Sequence, residues 1–408
     1  MMAISSPQYV WALYTKHLTA SLNASLAEVQ ITFSILIVMQ TFLSPLQGYF
    51  IDKFGPRLLL SAGAALTGLS WIAAAYVTSL WGLYLTYGLL GGIGTGIIYV
   101  GVVGMMVQWF PDRRGLAVGV VAAGYGFGAV LTTFPISQSL ASNGFESTLV
   151  LFGFILAAVG ILAALGMRRP DPALVAAKKA EQDPDVLDTG RNYAPREMLR
   201  SPVFWLLFVM MTMMSTTGLM VISQMGAIAR NFQVADALVF GLAALPLALT
   251  LDRITNGLTR PFFGWVSDRI GRENTMLIAF GLEGIAIAVW YFLAHDPLWF
   301  VVLSGIVFFG WGEIFSLFPS TLTDTFGTKH ATTNYGFLYM AQGVGSVLGG
   351  PVAAWMYGTS GSWGLVFTVV VAMDILTALL AIAVLKPMRR RHALAPAPPS
   401  AGLSLSRA

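Results

Sequence analysis

Cysteine is absent from this sequence, so no disulfide can staple the chain and no thiolate can hold zinc or an iron–sulfur cluster. Charge is scarce. Asp, Glu, Lys and Arg make up 10% of the residues, where soluble domains carry about a quarter. There is no metal-ligand cluster, nucleophile elbow or phosphate-binding loop, so neither an enzyme nor a bound metal or cofactor is expected. The first thirteen residues lack the basic start of a cleavable signal peptide. Apolar side chains are abundant, at 56% of the 408 residues. A soluble core could not bury so much, and lipid must be the solvent for much of the chain.

Apolar stretches of about 20 residues, the length that crosses a bilayer, follow one another with short loops. They cover 27–51, 58–78, 80–107, 115–140 and 148–167, then 202–228, 237–266, 275–294, 298–322, 333–357 and 363–385. That makes eleven. The chain also opens in an apolar stretch, Met1 to Tyr14, that meets Lys16. Fourteen helical residues reach about 21 Å, short of a core of about 30 Å. Helix 1 is therefore expected to be incomplete, an interfacial helix being the other reading. Together these predict an all-α membrane protein of twelve helices.

The net charge of +4 reflects orientation rather than nucleic-acid binding. Of the 23 Lys and Arg, all but Lys16, Arg230, Arg253 and Arg260 lie in alternate loops, the middle segment or the C-terminal end. The positive-inside rule places that side in the cytoplasm, with both termini there. Residues 1–168 are read as one six-helix bundle, 169–201 as a cytoplasmic linker that is partly helical at most, 202–387 as a second bundle, and 388–408 as a disordered tail.

A repeat ties the halves together. The stretch from Gly48 through Asp52, Lys53 and Gly55 to Arg57 follows the second span; Gly264 through Asp268, Arg269 and Gly271 to Arg272 follows the eighth, 216 residues on. The same offset places Phe110 on Phe326, and Arg113 and Arg114 on Lys329 and His330. Gly48 and Gly264 permit close helix approach. Asp52 and Asp268 suit helix N-termini or basic partners across an interface, a contact that can make and break. A plain turn at the membrane edge is the simpler reading of a single copy; two copies in register favour a gate.

Ionisable groups inside a span cost roughly 2.5–3.5 kcal/mol on insertion scales and are functional candidates by default. They fall in the second half: Asp252, Arg253, Arg260, Glu283, Glu313 and Asp374. At about 100° per residue, Asn256 and Arg253 lie within about 40° of Arg260, with Asp252 at the edge of that face. A buried cation suits an anionic substrate. An internal salt bridge to Asp252 or Glu313 is the other role open to Arg253.

The repeated motif resembles the loop 2–3 and 8–9 signature of the major facilitator superfamily. Several stretches resemble its oxalate–formate antiporter and monocarboxylate transporter group: Gln8-Tyr9-x-Trp11; Gly94-Thr-Gly96 with Tyr99; Trp109-Phe-Pro-Asp112; Asn256 with Arg260-Pro261; Phe318-Pro-Ser-Thr; and Asn334-Tyr-Gly-Phe337. The resemblance implies two six-helix bundles that rock to give alternating access. It implies that Arg260 holds a substrate carboxylate beside Asn256, and that Tyr9, Tyr99, Trp311, Phe315 and Tyr339 box the anion. Two positions depart from the group. Gln342 stands where oxalate carriers have a second cation, which favours a monocarboxylate such as lactate. Asn256 stands where animal proton-linked carriers have Asp, so Asp252 first and Glu313 second are the candidates to carry a proton. The expected function is proton-coupled monocarboxylate symport by a monomer in the inner (plasma) membrane. Oxalate/formate-type exchange is the alternative, and a transporter-like sensor the reading from another class.

Overall fold

The computed structural model describes residues 1–2, 6–180 and 187–394, with a few side chains among them, including that of Tyr9, outside the described part. Among the described residues, twelve membrane helices run in two sets of six. Helix 1 comprises Ser6–Tyr9 and Ala12–Ser21. Helix 2 comprises Leu26–Phe42 and Ser44–Phe54, bent by 48° where Leu43 precedes Ser44-Pro45. Helix 3 is Pro56–Ala75 and helix 4 is Leu80–Trp109. Helices 5 and 6 lie within Arg114–Leu165 and part at Gly144, whose φ of 78° no helix accommodates. In the second set, helix 7 is Pro202–Asn231, helix 8 Ala244–Ile270, helix 9 Arg272–Leu293 and helix 10 Pro297–Phe326. Helix 11 spans 331–360, through a π-helical turn at Leu348–Val352, and helix 12 is Trp363–Leu394.

Local chemistry explains the punctuation. Helix 2 starts on a capping box in which Ser25 and Glu28 exchange bonds. Helices 3, 7 and 10 place proline in their first turn, where a missing N–H costs nothing. Gly55 and Gly271 make the turns after helices 2 and 8 at φ of 91° and 87°, a region closed to most side chains. By apolar length alone, helices 1, 8 and 11 do not qualify as spans. Helix 1 is short, and helices 8 and 11 carry the polar residues of the centre.

Three expectations change, and the linker gains detail. Helix 1 runs on past Lys16 to Ser21. Helix 8 begins at Ala244, because Phe240 and Gly241, both at positive φ, turn a small hairpin of Leu238–Val239 and Leu242–Ala243. In the linker, Pro172–Ala180 and Pro195–Met198 are helical, and the amides of Thr189 and Tyr193 bond the carbonyls of Asp324 and Phe326. The tail expected from 388 is helical as far as Leu394. Buried Arg389 holds it in place, donating to Glu273 at 2.5 Å, to Thr325 and to the Leu187 carbonyl; residues 395–408 lie outside the described part.

Candidate functional site

Arg260 is buried on helix 8 at the seam with helix 5. Gly119 makes that seam possible, since a Cβ there would collide with the Arg260 carbonyl. The guanidinium donates through Nη1 to the Ala122 carbonyl at 2.6 Å and through Nη2 to Asn256 Oδ1 at 2.7 Å. Its Nε has no partner, and its carbon lies 4.5 Å from the Phe315 ring centroid. A planar cation on an aromatic face with a donor to spare is suited to a carboxylate.

The aromatic residues expected from helices 4, 10 and 11 come together around it. Tyr99 stacks on Tyr339 at 4.8 Å and 16°, joining the two halves, and meets Phe315 edge-on at 6.4 Å. Trp311 meets Phe315 edge-on at 5.6 Å while its indole donates to the Met214 carbonyl and packs over Gly218 of helix 7. Gln342 is buried one turn beyond Tyr339, its Oε1 without a partner.

Sequence reasoning missed several neighbours. Gln40 of helix 2 donates to the Tyr339 hydroxyl at 3.1 Å, Tyr125 of helix 5 donates to Gln8 at 2.7 Å, and Tyr335 lies beside Tyr99. These residues have no pattern to betray them in apolar helices. Charges were easier to find but not to pair. Asp252 is buried beside Ser304, and Arg253, which is exposed, is the cation that acts on it. Arg260 turns to Ala122 and Asn256 instead. Glu313 sits where helix 10 breaks between Trp311 and Ile314, within electrostatic reach of Arg260 and Asp374. Glu283 joins that buried acid group, and Thr217 donates to Asp374 at 2.7 Å.

The repeated motifs close the basic end of the bundles along two seams. At the helix 5–helix 8 seam, Asp268 accepts the amides of Gly115 and Leu116 at 2.9 and 2.8 Å and pairs with Arg272 at 2.5 Å. Gly264 lies against the Gly115 carbonyl. Buried Asp324, which the sequence did not single out, bridges Arg114 of the first half (2.5 Å) and Arg272 of the second (2.8 Å). At the helix 2–helix 11 seam, Asp52 accepts the amide and hydroxyl of Thr333 at 2.8 and 2.6 Å. A Cβ on Gly48 would stand 2.5 Å from the Thr332 carbonyl. Arg57 does not join this seam and is exposed. The 216-residue offset explains it: Pro56, not Arg57, corresponds to Arg272, while Gln108 and His330 correspond to Asp324 and Arg114. One seam is charged and the other is neutralised.

The sequence profile of the Major Facilitator Superfamily matches residues 1–251 and 209–407. The chain belongs to that superfamily. This transporter is 36% identical to the oxalate:formate antiporter of Oxalobacter formigenes, over 96% of its own length and 90% of the relative's. It is 26% identical to monocarboxylate transporter 13 of Bos taurus, over 86% and 78% of the two chains. Its fold matches that of the proton:xylose symporter XylE bound to 6-bromo-6-deoxy-D-glucose, with a TM-score of 0.69 over 94% and 93% of the chains at 16% identity. These are multi-pass membrane transporters, not enzymes.

Proposed function

We propose that this transporter moves a short monocarboxylate such as lactate with a proton, by alternating access, as a monomer in the inner (plasma) membrane with both termini cytoplasmic. The observation that carries the reading is Arg260, a buried cation that makes no salt bridge among the described residues, held between Asn256 and Phe315, with Gln342 buried on helix 11. One guanidinium neutralises one carboxylate; a dianion would keep an uncompensated charge away from water. Tyr99, Tyr339, Trp311 and Phe315 give the remainder of the ligand an apolar, water-excluding wall. The Asp52 and Asp268 latches are the contacts that rocking would break. With Gly48, Gly264 and Arg272 they form the gate; Arg57 has only an orienting charge to contribute.

Between the two acids we favour Glu313 over Asp252 as the proton carrier, because its neighbours in the helix 10 break hold the arginine: Gly312 packs on Asn256, the partner of Arg260, and Phe315 lies under the guanidinium. A proton taken up there would free the substrate-binding arginine. Purified transporter in liposomes is expected to accumulate labelled lactate when an inward proton gradient is imposed. Glu313→Gln is expected to abolish the accumulation while leaving lactate exchange, and Asp252→Asn to reduce it less. Full gradient-driven uptake in both variants would remove both acids from the coupling.

The 36% identity to an oxalate:formate antiporter favours a second reading, exchange of oxalate-like anions. Uptake that requires internal oxalate or formate and ignores the proton gradient would support it. Under the symport reading, Gln342→Lys supplies the missing second cation. Oxalate is then expected to compete with lactate at least tenfold better than in the unaltered protein, since a paired buried charge is worth well over 1.4 kcal/mol. Strong oxalate competition before the substitution would count against the single-cation argument.

A further inference from the structure

The neutralised seam holds cations that pair with no carboxylate among the described residues. A cavity of about 680 Å³ opens at the basic end beside helices 2 and 11, within the range of small-molecule sites. Lys53 and Arg169 from the first half line it, with Lys329 and His330 from the second. Among the described residues, Lys53, Arg169 and Lys329 make no salt bridge. Gln108 also lines the cavity, at the position where the other seam has Asp324, so the acid that neutralises arginines there is missing here. Asp52 is the acid in the wall, and its Oδ2 is engaged by the amide and hydroxyl of Thr333. Arg169 is fixed at the rim by donating to the Asp52 carbonyl.

An aromatic strip runs on from the cavity. Tyr49 lines it, and Phe50 and Phe54 continue from it along helix 2 with ring centroids 5.8 and 6.0 Å apart. All three are exposed, and the Lys53 ammonium stands 5.6 and 5.3 Å from the Tyr49 and Phe54 rings. Exposed aromatic rings at a helix end sit at headgroup level, and basic pockets between membrane helices take acidic lipid heads. We propose that the cavity is a phosphoryl-group site occupied by the head of an anionic phospholipid, which ties the two halves together while the basic end is closed. The three cations hold the phosphate, and the aromatic strip guides the acyl chains back into the bilayer. Free inorganic phosphate would use the cations but not the strip.

The test uses delipidated full-length protein in detergent, titrated with phosphatidylglycerol, phosphatidylcholine or inorganic phosphate. Retained lipid is read by native mass spectrometry, and stability by thermal melting. Phosphatidylglycerol is expected to be retained and to raise the melting temperature, and phosphatidylcholine to do neither. Lys53→Gln/Arg169→Gln/Lys329→Gln is expected to retain phosphatidylglycerol about tenfold less or worse, whereas Lys53→Arg/Arg169→Lys/Lys329→Arg keeps it. If the glutamine variant does not purify, Lys329→Gln alone must lower retention. The proposal is overturned by undiminished retention in the glutamine variants, by equal binding of phosphatidylcholine, or by inorganic phosphate reproducing the stabilisation alone.

Discussion

Arg260→Lys is expected to lower carboxylate uptake by about two orders of magnitude or more while the protein still folds and inserts. Lysine keeps the charge, so a role in bulk electrostatics would survive the change. It cannot keep the fork. In the observed geometry one nitrogen is committed to Ala122 at 2.6 Å and another to Asn256 at 2.7 Å, leaving Nε on the Phe315 face. An ammonium can satisfy those acceptors or turn to a ligand, and it stacks less well on Phe315. Uptake kinetics in liposomes, with melting temperature as the folding control, decide the matter. Near-normal uptake by the lysine variant would remove Arg260 from substrate binding.

Arg253 and Arg260 both stood out in the sequence as arginines within one apolar stretch, and only the resemblance around Asn256 and Arg260-Pro261 chose between them. The twelve helices were legible for a thermodynamic reason: lipid demands long apolar runs, and basic loops punctuate them. What escaped was pairing across large sequence distance. Asp324 sits at the end of an apolar span and reads as an edge residue, yet it joins arginines from both halves. Arg389 reads as an orienting charge in a tail, yet it is buried against Glu273. Glu283, Glu313 and Asp374 stand on three helices, and nothing in their spacing announces that they face one another. Arg57 misled in the opposite direction: the motif tolerates it, but the register places proline where the working arginine belongs.

Asp324→Asn is expected to release the basic end. The carboxylate is fully buried and serves Arg114 and Arg272 together. Removing one partner of a buried ion pair costs about 3–5 kcal/mol, because the other charge stays buried. Asp188 and Asp268 remain to the two arginines, at 2.9 and 2.5 Å, and soften the loss. That cost falls on the closed state, so the open state gains population. The absence of cysteine makes the measurement clean. A single Thr332→Cys, buried between Gly48 and Gly104, is expected to react with a maleimide about tenfold faster or more in the Asp324→Asn background. Unchanged labelling with unchanged transport would show that the bridge does not hold the gate.

The inequality of the two seams has a consequence for the path of motion. The helix 5–helix 8 seam combines backbone contact at Gly115 and Gly264 with a buried chain of four charged residues, Arg114, Asp324, Arg272 and Asp268. Across the helix 2–helix 11 seam, Asp52 makes two hydrogen bonds to Thr333, and small residues pack behind them. Two bundles joined by unequal edges do not separate like parallel plates. Under the proposed rocking, the weaker edge is expected to yield first and the stronger one to act as a pivot, so that the opening is a wedge. Water would then enter beside helices 2 and 11 before it reaches Asp324, and a solute leaving the centre would find its first exit on that side.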